Sequence, residues 1–312
     1  MSVWGEDPAG DKFCCVTQET DIDTVWIQAD VEDHVDYINL TYTPVAGPTY
    51  DLENTSATSM VVYVETIGSS VIRGSNDVTD YVETLNENCY GSSASAIVYG
   101  NDGDDLIEGC TGADDLNGGA GKDTIEGAGS GDTIRGGNGA DDIDGGSGAD
   151  TIYGENGRDT IDGGSSGDTI YGGDDDDTIY GGAGADILHG EDGDDEIFGE
   201  AGDDTIRGDL GFDTLHGGAD NDGIAGGGGT DTLYGDAGDD SLCDAFGGDK
   251  FLGGGGDDTL YYQSSMFGPG PDPTSNAGLV FDSDTCGHPS WGTSWAGGYC
   301  AYTQTVRPAA CP

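Results

Sequence analysis

From Gly100 to Tyr261 the chain divides into eighteen consecutive nine-residue units without an insertion or a deletion. The first reads GNDGDDLIE and the last GGGGDDTLY. Aspartate holds the sixth position in all eighteen, and Ile or Leu the eighth in seventeen, with Phe251 in the other. Glycine opens seventeen units, Asp244 being the exception, and stands fourth in fourteen, displaced by Ser130, Ser166, Asp175 and Asp220. Self-similarity at a fixed short period is the mark of a solenoid, in which each repeat covers the apolar face of its neighbour. Composition alone argues for disorder: 62 acidic against 8 basic residues, a net charge of −54 and 60 glycines in 312 residues. Such a chain has little apolar burial to offset the entropy of ordering. A disordered tract, however, has no reason to hold phase through eighteen units.

The expected fold is therefore all-β. Six residues rich in Gly, Asp and Asn make a turn, and three of the form x-Ile-x make a very short strand. Position eight is the one continuous apolar column, so it must form the core, and two units make one coil of eighteen residues with two sheets facing each other. That core is thin. Burying each Ile stabilises by about 1.5–3 kcal/mol, while ordering the other residues of a unit costs about 1–2 kcal/mol apiece. Stacking also aligns the sixth-position aspartates in ladders of like charge. A counter-ion is needed, and calcium suits it: a hard cation taking six to eight oxygens from carboxylates and carbonyls. Magnesium demands a tighter octahedron, and zinc or copper would want nitrogen or sulfur ligands, whereas only 4 His are present, all scattered.

GGAGKDTIE (Gly118 to Glu126) and GGSGADTIY (Gly145 to Tyr153) carry the pattern G-G-x-G-x-D-x-U-x at every fixed position, and the array strongly resembles the RTX family of calcium-binding nonapeptide repeats. The resemblance implies a parallel β-roll, a right-handed β-solenoid with 18 residues per coil. It also implies calcium held between successive turns on each edge by loop carbonyls and sixth-position aspartates. Carried onto this chain, the implied ligands are Asp105, Asp114, Asp123, Asp132, Asp141, Asp150, Asp159, Asp168, Asp177, Asp186, Asp195, Asp204, Asp213, Asp222, Asp231, Asp240, Asp249 and Asp258. Nine coils leave eight gaps per edge, hence up to sixteen ions. Units departing at position four, and the one opening with Asp244, are expected to hold fewer. Binding would be folding, because no such site exists in the unfolded chain. Extracellular calcium modules bind at roughly 10⁻⁴–10⁻³ M, so the roll is expected to set outside the cell.

Residues 100–261 are thus the β-roll; 60–99 are expected to be metal-free lead-in coils, 1–59 a small β-rich cap, and 262–312 a linker with a Cys/Trp-rich cap. In the lead-in, Val62, Val71 and Val98 fall in phase with the later core column, as does Asp80. Eight cysteines favour an oxidising compartment. Cys14, Cys15, Cys89 and Cys110 lie toward one end, and Cys243, Cys286, Cys300 and Cys311 toward the other, so pairing within each cluster is expected. The first twenty residues hold no apolar run of signal-peptide length, leaving the export route open, and no segment could span a bilayer. The charge argues against nucleic acid and anionic membrane as partners. Asn39-Leu-Thr and Asn54-Thr-Ser permit N-glycosylation.

Catalytic motifs are absent. There is no H-E-x-x-H, His34 stands alone, and GTSWA around Ser294 with His288 nearby lacks the final glycine of an elbow. GGSSG (Gly163 to Gly167) lies inside the repeat register where no helix can follow. Position nine faces outward. One column reads Glu108, Glu126, Asp144, Asp162, Tyr180, Phe198, His216, Tyr234, Leu252, and the other includes Arg135, Tyr153, Tyr171, His189 and Arg207. These rings suit exposed strands and also offer a surface for self-association, a glycan or another surface. The expected function is an extracellular calcium-binding structural or adhesive protein, able to assemble into matrix or filaments. The alternative is a calcium-dependent repeat domain of a secreted enzyme or toxin.

Overall fold

The computed structural model describes residues 95–244 and 249–262, together with eight earlier strands: Val3–Glu6, Lys12–Cys15, Thr24–Trp26, Asp36–Thr41, Thr49–Asp51, Ser59–Glu65, Ser70–Arg73 and Thr79–Glu83. Every regular element among the described residues is a β-strand. The fold is a parallel β-solenoid in which residues one coil apart are eighteen positions apart. The chain forms two compact units, Met1–Gly172 and Gly173–Pro312, whose boundary falls inside the repeat array.

In the first unit alternate repeats feed alternate sheets. Leu106–Cys110, Thr124–Ala128, Asp142–Asp144 and Thr160–Asp162 pair in parallel in one sheet. Ala96–Asp102, Asp115–Ala120, Thr133–Asn138 and Thr151–Asn156 do so in the other. The eighth-position residues stack on one another, Ile107 on Ile125 on Ile143 on Ile161, and Leu116 on Ile134 on Ile152. All are buried. The second unit repeats the arrangement. Ile179, Ile197, Leu215, Leu233 and Phe251 form one column, and Leu188, Ile206, Ile224, Leu242 and Leu260 the other.

The strands are longer than the three residues expected. Thr178–Ala183, for example, runs 6 residues and Gly223–Gly229 runs 7, although Asp142–Asp144 keeps 3. The extension passes through positions one to three, even though position two is left-handed: Asn101, Glu155, Glu191, Glu200, Asp209 and Asp236 all have φ between 66° and 80°. A left-handed residue ordinarily ends a strand. Here the coil above carries the same kink at the same place, so the ladder continues; Glu191 pairs with Asp209 and Asp192 with Leu210.

At position four the glycines are needed for a second reason. A methyl on Gly148 or Gly157 would collide with the carbonyl of the matching residue one coil earlier, Ser130 or Gly139. The four substituted units escape by retreating: Ser130, Ser166, Asp175 and Asp220 sit at φ 81°, 91°, 81° and 78°, against 147° for Gly121 and 148° for Gly148.

Before residue 95 the pairing remains parallel, apart from Val3–Glu6 against Lys12–Cys15. The expected core phase is partly corrected. Val82 pairs with Ile107 and Val62 with Val82, and Ile72, not Val71, pairs with Val98. Asp80 pairs with Met60 and so lies off that column. Connections here are longer than in the repeats, and counting in nines from Gly100 misplaces the register. Cys243 is buried and disulfide-bonded. The pairing expected of Cys89, Cys286, Cys300 and Cys311, the sequon at Asn54, and the motif around Ser294 lie outside the described residues.

Candidate metal centre

Each sixth-position aspartate sits where the turn enters the strand, and from Asp105 to Asp240 the backbone groups of these residues bond repeatedly to the next coil. The Asp105 N–H donates to Asp123 Oδ1 at 2.8 Å, Asp123 N–H to Asp141 Oδ1 at 2.8 Å, and Asp132 N–H to Asp150 Oδ1 at 2.7 Å. In the second unit Asp195 N–H donates to Asp213 Oδ1 at 3.0 Å and Asp204 N–H to Asp222 Oδ1 at 2.9 Å. The carbonyl of the same residue accepts from the residue that starts the next coil's strand, as from Thr124 N–H to Asp105 O at 2.8 Å. One carboxylate oxygen is therefore part of the scaffold. It ties each coil to the one before and holds the side chain in a single orientation.

The other oxygen is not so engaged. Oδ2 of Asp123, Asp132, Asp141, Asp150, Asp195, Asp204, Asp213, Asp222 and Asp240 is buried without a hydrogen-bond donor. Each points beneath the glycine that opens its own unit. A methyl placed on Gly145 would lie 2.9 Å from Asp150 Oδ2 and 2.7 Å from the carbonyl oxygen of Gly163, one coil on. On Gly136 the corresponding distances are 2.6 Å to Asp141 Oδ2 and 2.9 Å to Gly154 O. On Gly127 they are 2.8 Å to Asp132 Oδ2 and 2.7 Å to Gly145 O. This is the physical reason for the opening glycine: a carboxylate oxygen from its own unit and a carbonyl oxygen from the next coil converge where a side chain would start.

A buried carboxylate oxygen with no donor costs about 1–3 kcal/mol, and more when charged. The carboxyl groups respond accordingly. Burial, reinforced by neighbouring carboxylates and opposed by the backbone N–H, pushes Asp123 up to about 7 and Asp132 to about 8. The same causes take Asp195 to about 6, Asp204, Asp213 and Asp222 to about 7, and Asp240 to about 6. Burial also raises Asp141, Asp150 and Asp258. The stack resists ionisation unless positive charge is brought into it.

The donor set fits calcium. Buried anionic oxygens, backbone carbonyls and a glycine-lined cradle offer only hard oxygen ligands, which suit a hard divalent cation. Among the described residues no three His, Cys, Asp or Glu side chains converge to hold an ion by themselves. Carbonyls must therefore supplement the carboxylates.

Of the eighteen aspartates singled out by sequence, sixteen are buried, at 0% to 5% exposure, from Asp105 to Asp240. Asp249 and Asp258 are half-buried, and they accept from Asp231 N–H at 3.2 Å and Asp240 N–H at 3.1 Å. Counting repeats missed a second ladder at position five, running in the opposite sense. Asp104 Oδ1 accepts from Lys122 N–H, Asp194 Oδ1 from Phe212 N–H, Asp203 Oδ1 from Asn221 N–H, and Asp239 Oδ1 from Asp257 N–H. The doubled aspartates at 104–105, 194–195, 203–204 and 239–240 were its signal. The GGSSG stretch lies in a turn, with Ser165 N–H donating to Gly146 O at 2.8 Å, and a strand follows it from Thr169.

On the flat faces position nine points outward as expected, and its rings stack. Tyr180, Phe198, His216 and Tyr234 lie with successive centroids 5.1, 5.0 and 4.2 Å apart and planes within 16° of parallel. The Lys250 ammonium covers the end of this column, 5.4 Å from the Tyr234 ring. Tyr153 and Tyr171 form a separate pair at 5.2 Å. In the first unit Glu108, Glu126, Asp144 and Asp162 stack in register instead. Asp144 is raised there by burial, and further by Asp162 and Glu126.

The family model for the RTX calcium-binding nonapeptide repeat, four copies long, matches this chain repeatedly, in overlapping stretches from 90–125 through 207–242 and again at 245–262. No curated protein matches the chain.

Proposed function

The chain belongs to the family of RTX calcium-binding nonapeptide repeats, which bind calcium, and from that premise we propose that calcium is the folding switch of the whole repeat array. The ligands in this reading are the eighteen sixth-position aspartates from Asp105 to Asp258, aided by carbonyls of the opening glycines. The carrying observation is the set of buried Oδ2 atoms without a donor, each beside a carbonyl from the next coil. When bound, calcium supplies the positive charge that such a stack lacks.

The chain's own residues do the rest. Asp N–H to Oδ1 bonds set the carboxylates in file, the opening glycines leave the cradle clear, and the Ile column closes the core. Eight gaps on each edge of a nine-coil roll would take up to sixteen ions. At cytosolic calcium the carboxylates would repel and the array would stay open; at the roughly 10⁻⁴–10⁻³ M affinities of extracellular modules it would set after export.

The biological role in this reading is structural or adhesive, outside the cell, with residues 1–59 and 262–312 serving as caps. The ring columns are its contact surface. Their rings are stacked face to face, so edges, not faces, look outward. That favours a flat contact with a second copy or another surface over stacking against a sugar ring.

Far-ultraviolet circular dichroism and sedimentation velocity in chelator and in millimolar calcium test the reading. A slow, expanded species that becomes compact and β-rich with calcium is expected. Identical spectra and sedimentation in the two conditions would refute it.

A further inference from the structure

Tyr153 and Tyr171 occupy position nine of two successive coils of one sheet, in the first unit. Their rings lie 5.2 Å apart at an interplanar angle of 6°, both half-buried on the outer face. The Arg135 guanidinium covers the Tyr153 ring at 5.5 Å from its centroid. The second unit provides an internal contrast. Tyr180 and Tyr234 share a column, but Phe198 and His216 stand between them, so neither phenol has a phenol as its stacking neighbour there.

We propose that Tyr153 and Tyr171 are a site of oxidative coupling, in which a one-electron oxidant joins them into an intrachain dityrosine across the coil-to-coil step. The co-reactant is hydrogen peroxide acting through a haem peroxidase. Each phenol gives up one electron and its hydroxyl proton, leaving two phenoxyl radicals. The two electrons and two protons reduce one hydrogen peroxide to two waters. The radicals combine between ring carbons ortho to the oxygens, forming one carbon–carbon bond. The hydrogens on those carbons then move to the oxygens and restore both phenols. Folding contributes proximity: rings held one coil apart couple within the chain, where free tyrosines would have to meet by diffusion.

The consequence is mechanical. The strands Thr151–Asn156 and Thr169–Asp174 follow Asp150 and Asp168, whose turns are tied by the Asp150 N–H to Asp168 Oδ1 bond at 2.8 Å. A covalent bond between Tyr153 and Tyr171 would hold those turns together after the cation is withdrawn. A step that opens in chelator becomes one that cannot.

The experiment uses the full chain with haem peroxidase and equimolar hydrogen peroxide, in millimolar calcium and in chelator. Dityrosine fluorescence and peptide mapping are the readouts. With calcium, the expected product is a monomer whose map joins the peptides of Tyr153 and Tyr171, with the mass lowered by two hydrogens. Yield in chelator should fall at least fivefold. Tyr153→Phe preserves the stack and should abolish that cross-link, whereas Tyr180→Phe should leave it unchanged. Equal yield in chelator, an intrachain link that survives Tyr153→Phe, or products that are only interchain dimers would each overturn the proposal.

Discussion

The parallel strands from Asp36 to Glu83 and the repeats after residue 95 share a ladder, yet they keep different spacing. Val62 pairs with Val82, Val82 with Ile107, and Ile72 with Val98, at separations that vary. From Asp105 onward the step between coils is 18 residues each time. Apolar stacking is non-directional and tolerates a connection of any length. The aspartate ladder does not, because a backbone N–H must meet Oδ1 of one particular residue in the next coil. The constant period is thus a property of the turns and their charge, and the core merely accepts it.

The largest expected effect separates the two regions by protonation. In the repeat turns Asp123, Asp132, Asp195, Asp204, Asp213, Asp222 and Asp240 lie well above the ordinary carboxylate value of 3.8, from about 6 for Asp195 and Asp240 to about 8 for Asp132. A group raised on folding stabilises the fold while protonated, and that contribution is lost as pH rises through the raised value. In chelator the repeat array should therefore gain β-structure as pH falls from about 8 to about 5, and lose it on return. Calcium should reverse the sense, since binding releases those protons. Circular dichroism across that range checks this, and a metal-free chain that stays unfolded throughout counts against a protonation-limited stack.

A smaller effect tests the spacing directly. One residue inserted between Gly148 and Asp150 displaces the Asp150 carboxylate from the Asp132 N–H. It should cost about 3 kcal/mol of calcium-loaded stability, the size of one or two buried polar groups left unpaired. The same insertion in the connection between Asp51 and Ser59 should cost under about 1 kcal/mol, as loop lengthening does. Chemical denaturation in saturating calcium compares them; equal losses would remove the distinction between the regions.

Asp150 itself separates the scaffold role from the proposed ligand role. Asp150→Asn keeps an Oδ1 acceptor for Asp132 N–H but removes the charge, so it should weaken calcium response while leaving calcium-saturated stability within about 1 kcal/mol. Asp150→Ala also orphans that N–H and should cost about 1–3 kcal/mol more. Calcium titrations of both variants at fixed denaturant read the difference. Identical behaviour would mean that the hydrogen bond contributes nothing.

The smallest pair concerns glycine. Gly145→Ala places a methyl 2.7 Å from Gly163 O and should destabilise by about 1–3 kcal/mol. The environment of Gly223 is open, with Asp204 O at 3.8 Å the one nearby atom, so Gly223→Ala should be neutral or stabilising by about 0.4–1 kcal/mol. Thermal melts in calcium distinguish these, and a tolerated Gly145→Ala would show that the cradle can widen to admit a methyl.

The period, the all-β fold, the eighth-position core and the sixth-position aspartates could all be read from the chain, because a repeat in phase reports that residues eighteen apart must meet. What it could not report is which atoms meet. That Oδ1 belongs to the scaffold while Oδ2 of Asp123 or Asp150 is left without a donor depends on the N–H of a residue one coil away. So does the survival of strands through a left-handed Glu191 or Asp209, which is tolerated because the neighbouring coil bends identically. The lead-in register eluded counting in nines because the sequence there repeats no aspartate at a fixed interval. Likewise Tyr153 beside Tyr171 and Tyr180 beside Phe198 are columns in the sequence but stacked rings only in the fold. Local chemistry selected the turn and the strand; contacts between coils, invisible within any one unit, decided what each side chain was free to do.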